Sequence, residues 1–145
     1  MIGLDTGFLV AWAIPEHAAH AACRLLAGDA ARQGRTFGLT PGILAEFIHV
    51  VTDPRRFSQP LSMAHAISNA DFWSQAAEVA LLRQDTTVSA AWLDWLTRHH
   101  LGRKRLLDTL IAATWLAAGI TEVWTLNPDD FAIFGCFNLW SPTSV

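Results

Sequence analysis

Residues 103–131 read RKRLLDTLIAATWLAAGITEVWTLNPDDF, and their pattern sets the fold class of the chain. Arg103, Lys104 and Arg105 lead into Leu106-Leu107-Asp108. Leu110, Ile111, Thr114 and Trp115 then recur at helical spacing as far as Gly119, which predicts a helix begun by Asp108 and stopped by glycine. Val123–Leu126 is a short apolar run with the length of a buried strand. Asn127-Pro128-Asp129-Asp130 is a turn, and Phe131–Phe134 opens a short apolar segment. Helix followed by short buried strand is the repeating unit of an α/β protein with a mainly parallel sheet.

The same alternation runs outward to both ends. Ile2-Gly3-Leu4 is a non-alternating apolar run, as expected of a strand covered on both faces. Phe8–Ile14 reads as helix, broken by Pro15, and Glu16–Ala31 as a second, alanine-rich helix. Thr36–Leu39 is the second strand. Thr40-Pro41 is a hydroxyl N-cap followed by proline at the first helical position, and it opens a helix containing Glu46. Ser62 caps a helix from Met63 to about Gln75, Val79–Leu82 is a third strand, and Thr86-Thr87 opens a helix to about His100. With Phe137–Trp140 as the last strand, no internal repeat or linker divides the chain, and residues 1–145 are read as one domain.

Composition narrows the function classes. At 52% hydrophobic and 16% charged, 145 residues can bury a core and do not match a disordered chain. No apolar run approaches a bilayer span, and the chain starts directly on a strand-like MIGLD without a leader pattern, so a cytoplasmic protein with no membrane contact is expected. Cys23 and Cys136 lack paired spacing and read as buried thiols rather than a zinc site or a disulfide. His17, His20 and Cys23 recur every three residues, which fits a solvated helix face better than a soft-metal site. The net charge of −3 offers no global attraction to nucleic acid, so any such contact must come from local basic clusters and bound cations. Seven Trp and eight Phe exceed what an isolated core of this size needs and point to an apolar surface for a partner.

Five acids stand out by their surroundings. Asp5 ends the first strand, where open parallel sheets bind ligands, and is equally a good N-cap for the next helix. Glu46 is the one acid in an apolar helix and must face solvent or a cation. Asp108 lies at a helix start. Asp129 and Asp130 follow the fourth strand and serve either the site or a polar turn. If the strands ending at Asp5 and before Asn127 are neighbours, these groups meet at one sheet edge. Clustered carboxylates repel, and a hard divalent cation such as Mg²⁺ or Mn²⁺ resolves the repulsion.

Taken together, Asp5-Thr6 near the start, Glu46 in an apolar helix, Asp108-Thr-Leu-Ile-Ala-Ala-Thr114 and Thr125-Leu-Asn127-Pro-Asp-Asp130-Phe131 resemble a PIN-domain ribonuclease, and more narrowly the VapC-type toxins of toxin–antitoxin pairs. The resemblance covers essentially the whole chain. It implies a PIN-like three-layer sandwich, with a central sheet of four to five strands between helices. It implies Asp5, Glu46 and Asp108 as ligands of Mg²⁺, with Mn²⁺ as substitute, and Asp130 as the fourth acid of the catalytic set. Members of the family often carry Asp where this chain has Asn127, so the fourth carboxylate must come from Asp129 or Asp130 or be absent. Thr6 and Thr125 are placed to orient carboxylates.

The activity implied is metal-dependent hydrolysis of an RNA phosphodiester without a covalent intermediate. Arg103, Lys104 and Arg105, which directly precede Asp108, are read as contacts to the RNA backbone, and Arg55 and Arg56 as solvated surface. The partners implied are a VapB-type antitoxin, lying in an apolar groove near the acids, and a second copy of the chain in a homodimer. A non-catalytic PIN-like RNA-binding or scaffold protein is the alternative, supported by Asn127.

Overall fold

In the computed structural model, which describes residues 1–142, short apolar runs become strands and the longer periodic stretches between them become helices. The last three positions of the expected 1–145 domain lie outside the described residues. Strands β1 (Ile2–Leu4), β2 (Phe37–Leu39), β3 (Val79–Leu81), β4 (Glu122–Trp124) and β5 (Asn138–Trp140) form one sheet in the order β3-β2-β1-β4-β5. Every pairing is parallel. The three residues of β1 and of β2 are all buried, as their uninterrupted apolar character requires, whereas edge strand β3 is half-exposed.

Helices α1 (Thr6–Ala13), α2 (His20–Arg32), α3 (Pro41–Val51) and α4 (Met63–Gln75) connect β1 to β3, and α1 packs on α2 and α3 while α3 packs on α4. Helices α5 (Thr86–Arg98) and α6 (Leu106–Ala117) carry the chain back across the sheet to β4, and pack on each other. Right-handed crossovers in opposite directions put these groups on opposite faces, which gives the three layers. Phe8, Phe47 and Trp73 are buried among the first group, and Trp115 and Ile111 in the second. Thr40 and Ser62 cap α3 and α4 as their sequence predicts, accepting from Ile43 N at 3.1 Å and His65 N at 3.2 Å.

Some boundaries differ from the sequence reading. The second helix starts at His20, not Glu16. Pro15 ends α1, and the chain then turns through His17 N→Ile14 O and His20 N→His17 O, with His17 Nδ1 accepting from Ala19 N at 3.1 Å. His20 is half-buried, with Nδ1 2.9 Å from the Ala11 carbonyl, and Cys23 is buried, so this face is packed rather than solvated. Asp108 does not begin its helix. A 3₁₀ turn at Arg103–Arg105 runs into α6 at Leu106, and Asp108 is its third residue. The strand expected to reach Leu126 ends at Trp124, and the expected turn at 127–130 tightens into a one-turn helix, α7 (Asp129–Ala132). The two cysteines are free, as expected. Among the described residues, no helix is long and apolar enough to cross a membrane.

Gly3, in the middle of β1, faces Trp115 so closely that a Cβ would lie 2.9 Å from two atoms of the indole. That ring is completely buried and has no room to retreat. Gly3→Ala is therefore expected to destabilise the fold by about 1–3 kcal/mol, the usual cost of overpacking. Denaturant unfolding monitored by the tryptophans measures it.

Candidate metal centre

Strands β1 and β4 pair side by side, Leu4 opposite Trp124, and end at the same edge. The chain leaves β1 toward β2 on one side and returns to β4 on the other, so this edge is the switch point where open α/β sheets bind ligands. Asp5 stands directly beyond β1, and its two oxygens serve two roles. Oδ1 accepts from Thr6 N at 2.7 Å and caps α1, while Oδ2 accepts from Thr125 Oγ1 at 2.9 Å. Thr125 Oγ1 in turn accepts from Asn127 N at 3.0 Å, which fixes the turn after β4.

Thr6, buried at the start of α1, donates its hydroxyl to Glu46 Oε2 at 2.6 Å and so ties α3 to the strand edge. Asp108 is held from its own side by Arg105, whose Nε lies 3.5 Å from Asp108 Oδ2. The same guanidinium reaches α7: Nη1 lies 3.7 Å from Asp130 Oδ1, and Nη2 donates to the Asp130 carbonyl. Asp5, Glu46, Asp108, Asn127 and Asp130 thereby share one cleft of about 450 Å³. Asp129 is exposed and does not line it, so of the two acids after Pro128 it is Asp130 that faces the others.

The basic trio divides. Arg103 and Lys104 are exposed on the 3₁₀ turn and do not line the cleft. Arg105 points inward, its side chain 26% exposed, as counter-ion to two acids. Arg56, expected to be plain solvated surface, instead lines the cleft together with Phe57 and His17. The signal for these was present as an Arg-Phe doublet shortly after the Glu46 helix, but nothing in the sequence showed that the loop folds back over the acids.

Burial pushes the Asp5 carboxyl up from its ordinary 3.8 to about 6, with the charges of Asp108 and Glu46 adding to the rise and the hydrogen bonds from Thr125 and Thr6 opposing it. Asp108 is also raised, first by burial and then by Asp130 and Glu46, against the pull of Arg105. Charge is thus held in this cleft against its own preference. The donors are all oxygen, which matches Mg²⁺ or Mn²⁺ and excludes a thiolate or imidazole-rich site for softer metals. Among the described residues, no three His, Cys, Asp or Glu side chains are drawn together tightly enough to hold an ion as they stand. Thr6 holds Glu46 and Arg105 holds Asp108, so the acids surround the cleft without closing on one point.

Residues 2–134 match the family model of the PIN domain, and the chain belongs to that family. Ribonuclease VapC24 of Mycobacterium tuberculosis is 27% identical over 100 residues, which span 69% of this chain and 68% of the relative. Among solved structures, Mycobacterium tuberculosis VapC20, described as a toxin that cleaves the sarcin-ricin loop, superposes with a TM-score of 0.70 at 20% identity, over 91% of this chain and 94% of that one. A chain of VapBC2 from Rickettsia felis, solved bound to a DNA fragment from its promoter, gives 0.67 at 20% identity over 97% and 98%. At these identities the structural likeness is one of fold.

The raised Asp5 has a consequence for stability. The native state holds this proton more tightly than the unfolded chain, so stability falls as pH rises from about 3.8 to about 6 and stays lower above that. Asp5→Asn removes the charged form, and is expected to stabilise the chelator-treated protein at neutral pH by on the order of 1–3 kcal/mol. The gain should vanish below about pH 4, where wild-type Asp5 is protonated. Thermal melts of both proteins in EDTA across this range test it.

Proposed function

We propose that this chain is a Mg²⁺-dependent endoribonuclease, the VapC-type toxin of a type II toxin–antitoxin pair. The observation that carries the reading is the meeting of Asp5, Glu46, Asp108 and Asp130 from four separate segments in one cleft at the sheet's switch point. Membership of the PIN family and the VapC relatives support the reaction class.

Asp5, Glu46 and Asp108 would hold the cation, with Asp130 and the Asn127 amide as further oxygen donors. The bound cation supplies Lewis acidity toward the phosphate and a water made acidic enough to attack. Thr125 keeps Asp5 Oδ2 aimed across the strand ends, and Thr6 does the same for Glu46. Glu46, hydrogen-bonded through Oε2 alone, retains a free oxygen to orient the attacking water. Arg105 offsets the charge of Asp108 and Asp130 from one side of the cleft. The chain's apolar exposed residues, among them Met63, Ile67 and Phe72 on α4, fit a protein that works with a VapB-type antitoxin and as a homodimer.

Asp108→Ala is expected to abolish RNA cleavage, with rate losses of a hundredfold or more (on the order of 3 kcal/mol in the barrier), while circular dichroism shows the fold intact. Mn²⁺ should raise the melting temperature of the wild type and leave that of the variant nearly unchanged. A folded Asp108→Ala protein that still cut the same RNA sites with added metal would overturn the assignment. The second reading, a non-catalytic scaffold, rests on Asn127 standing where an acid is expected; a scaffold would show neither the Mn²⁺ shift nor cleavage in the wild type.

A further inference from the structure

The cleft has a wall that the metal chemistry does not use. The loop after α3 runs from Thr52 to Leu61, and its sequence TDPRRFSQPL carries two arginines and an aromatic. This loop is fastened along its length. Thr52 Oγ1 donates to the Ile48 carbonyl at 2.7 Å, and Leu61 N donates to the Val51 carbonyl at 2.8 Å. Glu16, from the loop between α1 and α2, accepts from Gln59 N at 3.0 Å and from the Ser58 hydroxyl. Asp53, its side chain only 10% exposed, accepts from Arg55 N at 2.9 Å and from Arg55 Nε at 3.1 Å.

The two arginines consequently differ. Arg55 is spent on Asp53 and does not line the cleft. Arg56 touches Asp53 only at 3.6 Å, remains 57% exposed, and lines the cleft. Phe57 beside it is half-buried, one part packed on the core and the rest in the cleft wall. His17 completes the wall from the neighbouring loop. Its Nδ1 accepts from Ala19 N, so the neutral ring carries its proton on Nε2 and has a donor to offer. Burial and the nearby His20 hold this imidazole below its ordinary value, which favours the neutral form.

A cation, an aromatic face and a neutral donor, set on a fastened loop beside a carboxylate cluster, match the parts of one nucleotide. We propose that Arg56, Phe57 and His17 form the substrate-holding wall of the cleft, and that it takes an unpaired RNA nucleotide. This rests on the ribonuclease reading and names the residues that hold its substrate beside the acids. The base lies against Phe57, and the adjoining phosphate meets Arg56 and the His17 Nε2–H. A base inside a duplex has both faces covered and cannot reach an aromatic side chain, so the wall selects single-stranded segments. The floor of the cleft is acidic and repels phosphate, so a cation on this side is what lets the backbone approach. Arg103 and Lys104, outside the cleft, can attract RNA only at longer range.

The test uses the full chain and a short, fluorescein-labelled RNA of mixed sequence, offered single-stranded or annealed to its complement. Binding is followed by anisotropy in an Asp108→Asn background, and cleavage in the otherwise wild-type background. Phe57→Leu keeps the apolar packing and removes the ring face; it is expected to weaken single-strand binding about tenfold and to raise KM more than it lowers kcat. Phe57→Trp should restore binding. Arg56→Ala should weaken binding and lower the dependence of log K on log salt by about one. His17→Gln, which keeps an N–H donor, should cost less than His17→Ala. Arg32→Ala, an equal loss of charge outside the cleft, should change neither. Single-strand binding that Phe57→Leu and Arg56→Ala leave within twofold of the parent, in a chain that does cut RNA, would overturn the wall and spare the ribonuclease reading. Tighter binding of the annealed form would also overturn it. A wild type that neither bound nor cut RNA would overturn both.

Discussion

The bond between Thr125 Oγ1 and Asp5 Oδ2, 2.9 Å long and joining residues 120 positions apart, is the contact on which the site depends. It exists because β1 and β4 are parallel neighbours with their ends in register. Each strand is only three residues long, so the first residues beyond them are already at the sheet edge. Parallel strands pointing the same way bring their C-terminal residues together whatever the distance in sequence. The reversal of strand order beside β1 leaves space there instead of a crossing helix. From Asp5 the hydrogen bonds spread both ways, through Thr6 to Glu46 and through Thr125 to Asn127.

The charges follow a similar economy. Four carboxylates face one cleft, and two of them, Asp108 and Asp130, are paired with Arg105. Its three nitrogens reach two elements, the first turn of α6 and the short α7. An ammonium could not do this, because only the planar guanidinium presents several donors in fixed directions. Arg105 is thus structural as much as electrostatic: without its bond to the Asp130 carbonyl, a four-residue helix has little else polar to anchor it. The remaining imbalance shows in Asp5, whose carboxyl is pushed up to about 6 by burial and by the charges of Asp108 and Glu46.

How much of this was legible depends on which kind of information each feature uses. The sheet was readable because strands covered on both faces must be uninterrupted apolar runs, and α3 and α4 because Thr40-Pro41 and Ser62 state their caps locally. Asp5, Glu46 and Asp108 stood out because an acid inside an apolar stretch needs a reason. The start of α2 was misplaced because His17 makes its turn with a ring nitrogen, a device that helix propensity does not register. The 3₁₀ turn before α6 was missed because a basic trio reads alike whether it faces solvent or one member turns inward. Only the resemblance favours Asp130 over Asp129; the physical reason, that α7 starts at Asp129 and gives consecutive residues different faces, is not visible in the residues themselves. Arg56 was taken for surface because the fold-back of its loop is fixed by Glu16, some forty residues earlier.

Asn127 has a physical rationale of its own. Its backbone N–H is already committed to Thr125, the residue that holds Asp5. A carboxylate at 127 would put another negative charge beside an Asp5 that burial, Asp108 and Glu46 already make hard to ionise. The amide supplies an oxygen without that charge. The acid that does line the cleft nearby is Asp130, three residues on, where Arg105 lies close enough to offset its charge. Compared with an acid at 127, this places the charge nearer the Arg105 guanidinium, which reaches the Asp130 carboxylate at 3.7 Å. An uncharged side chain at 127 adds no like charge to the burial and neighbouring acids that already push the Asp5 carboxyl up to about 6.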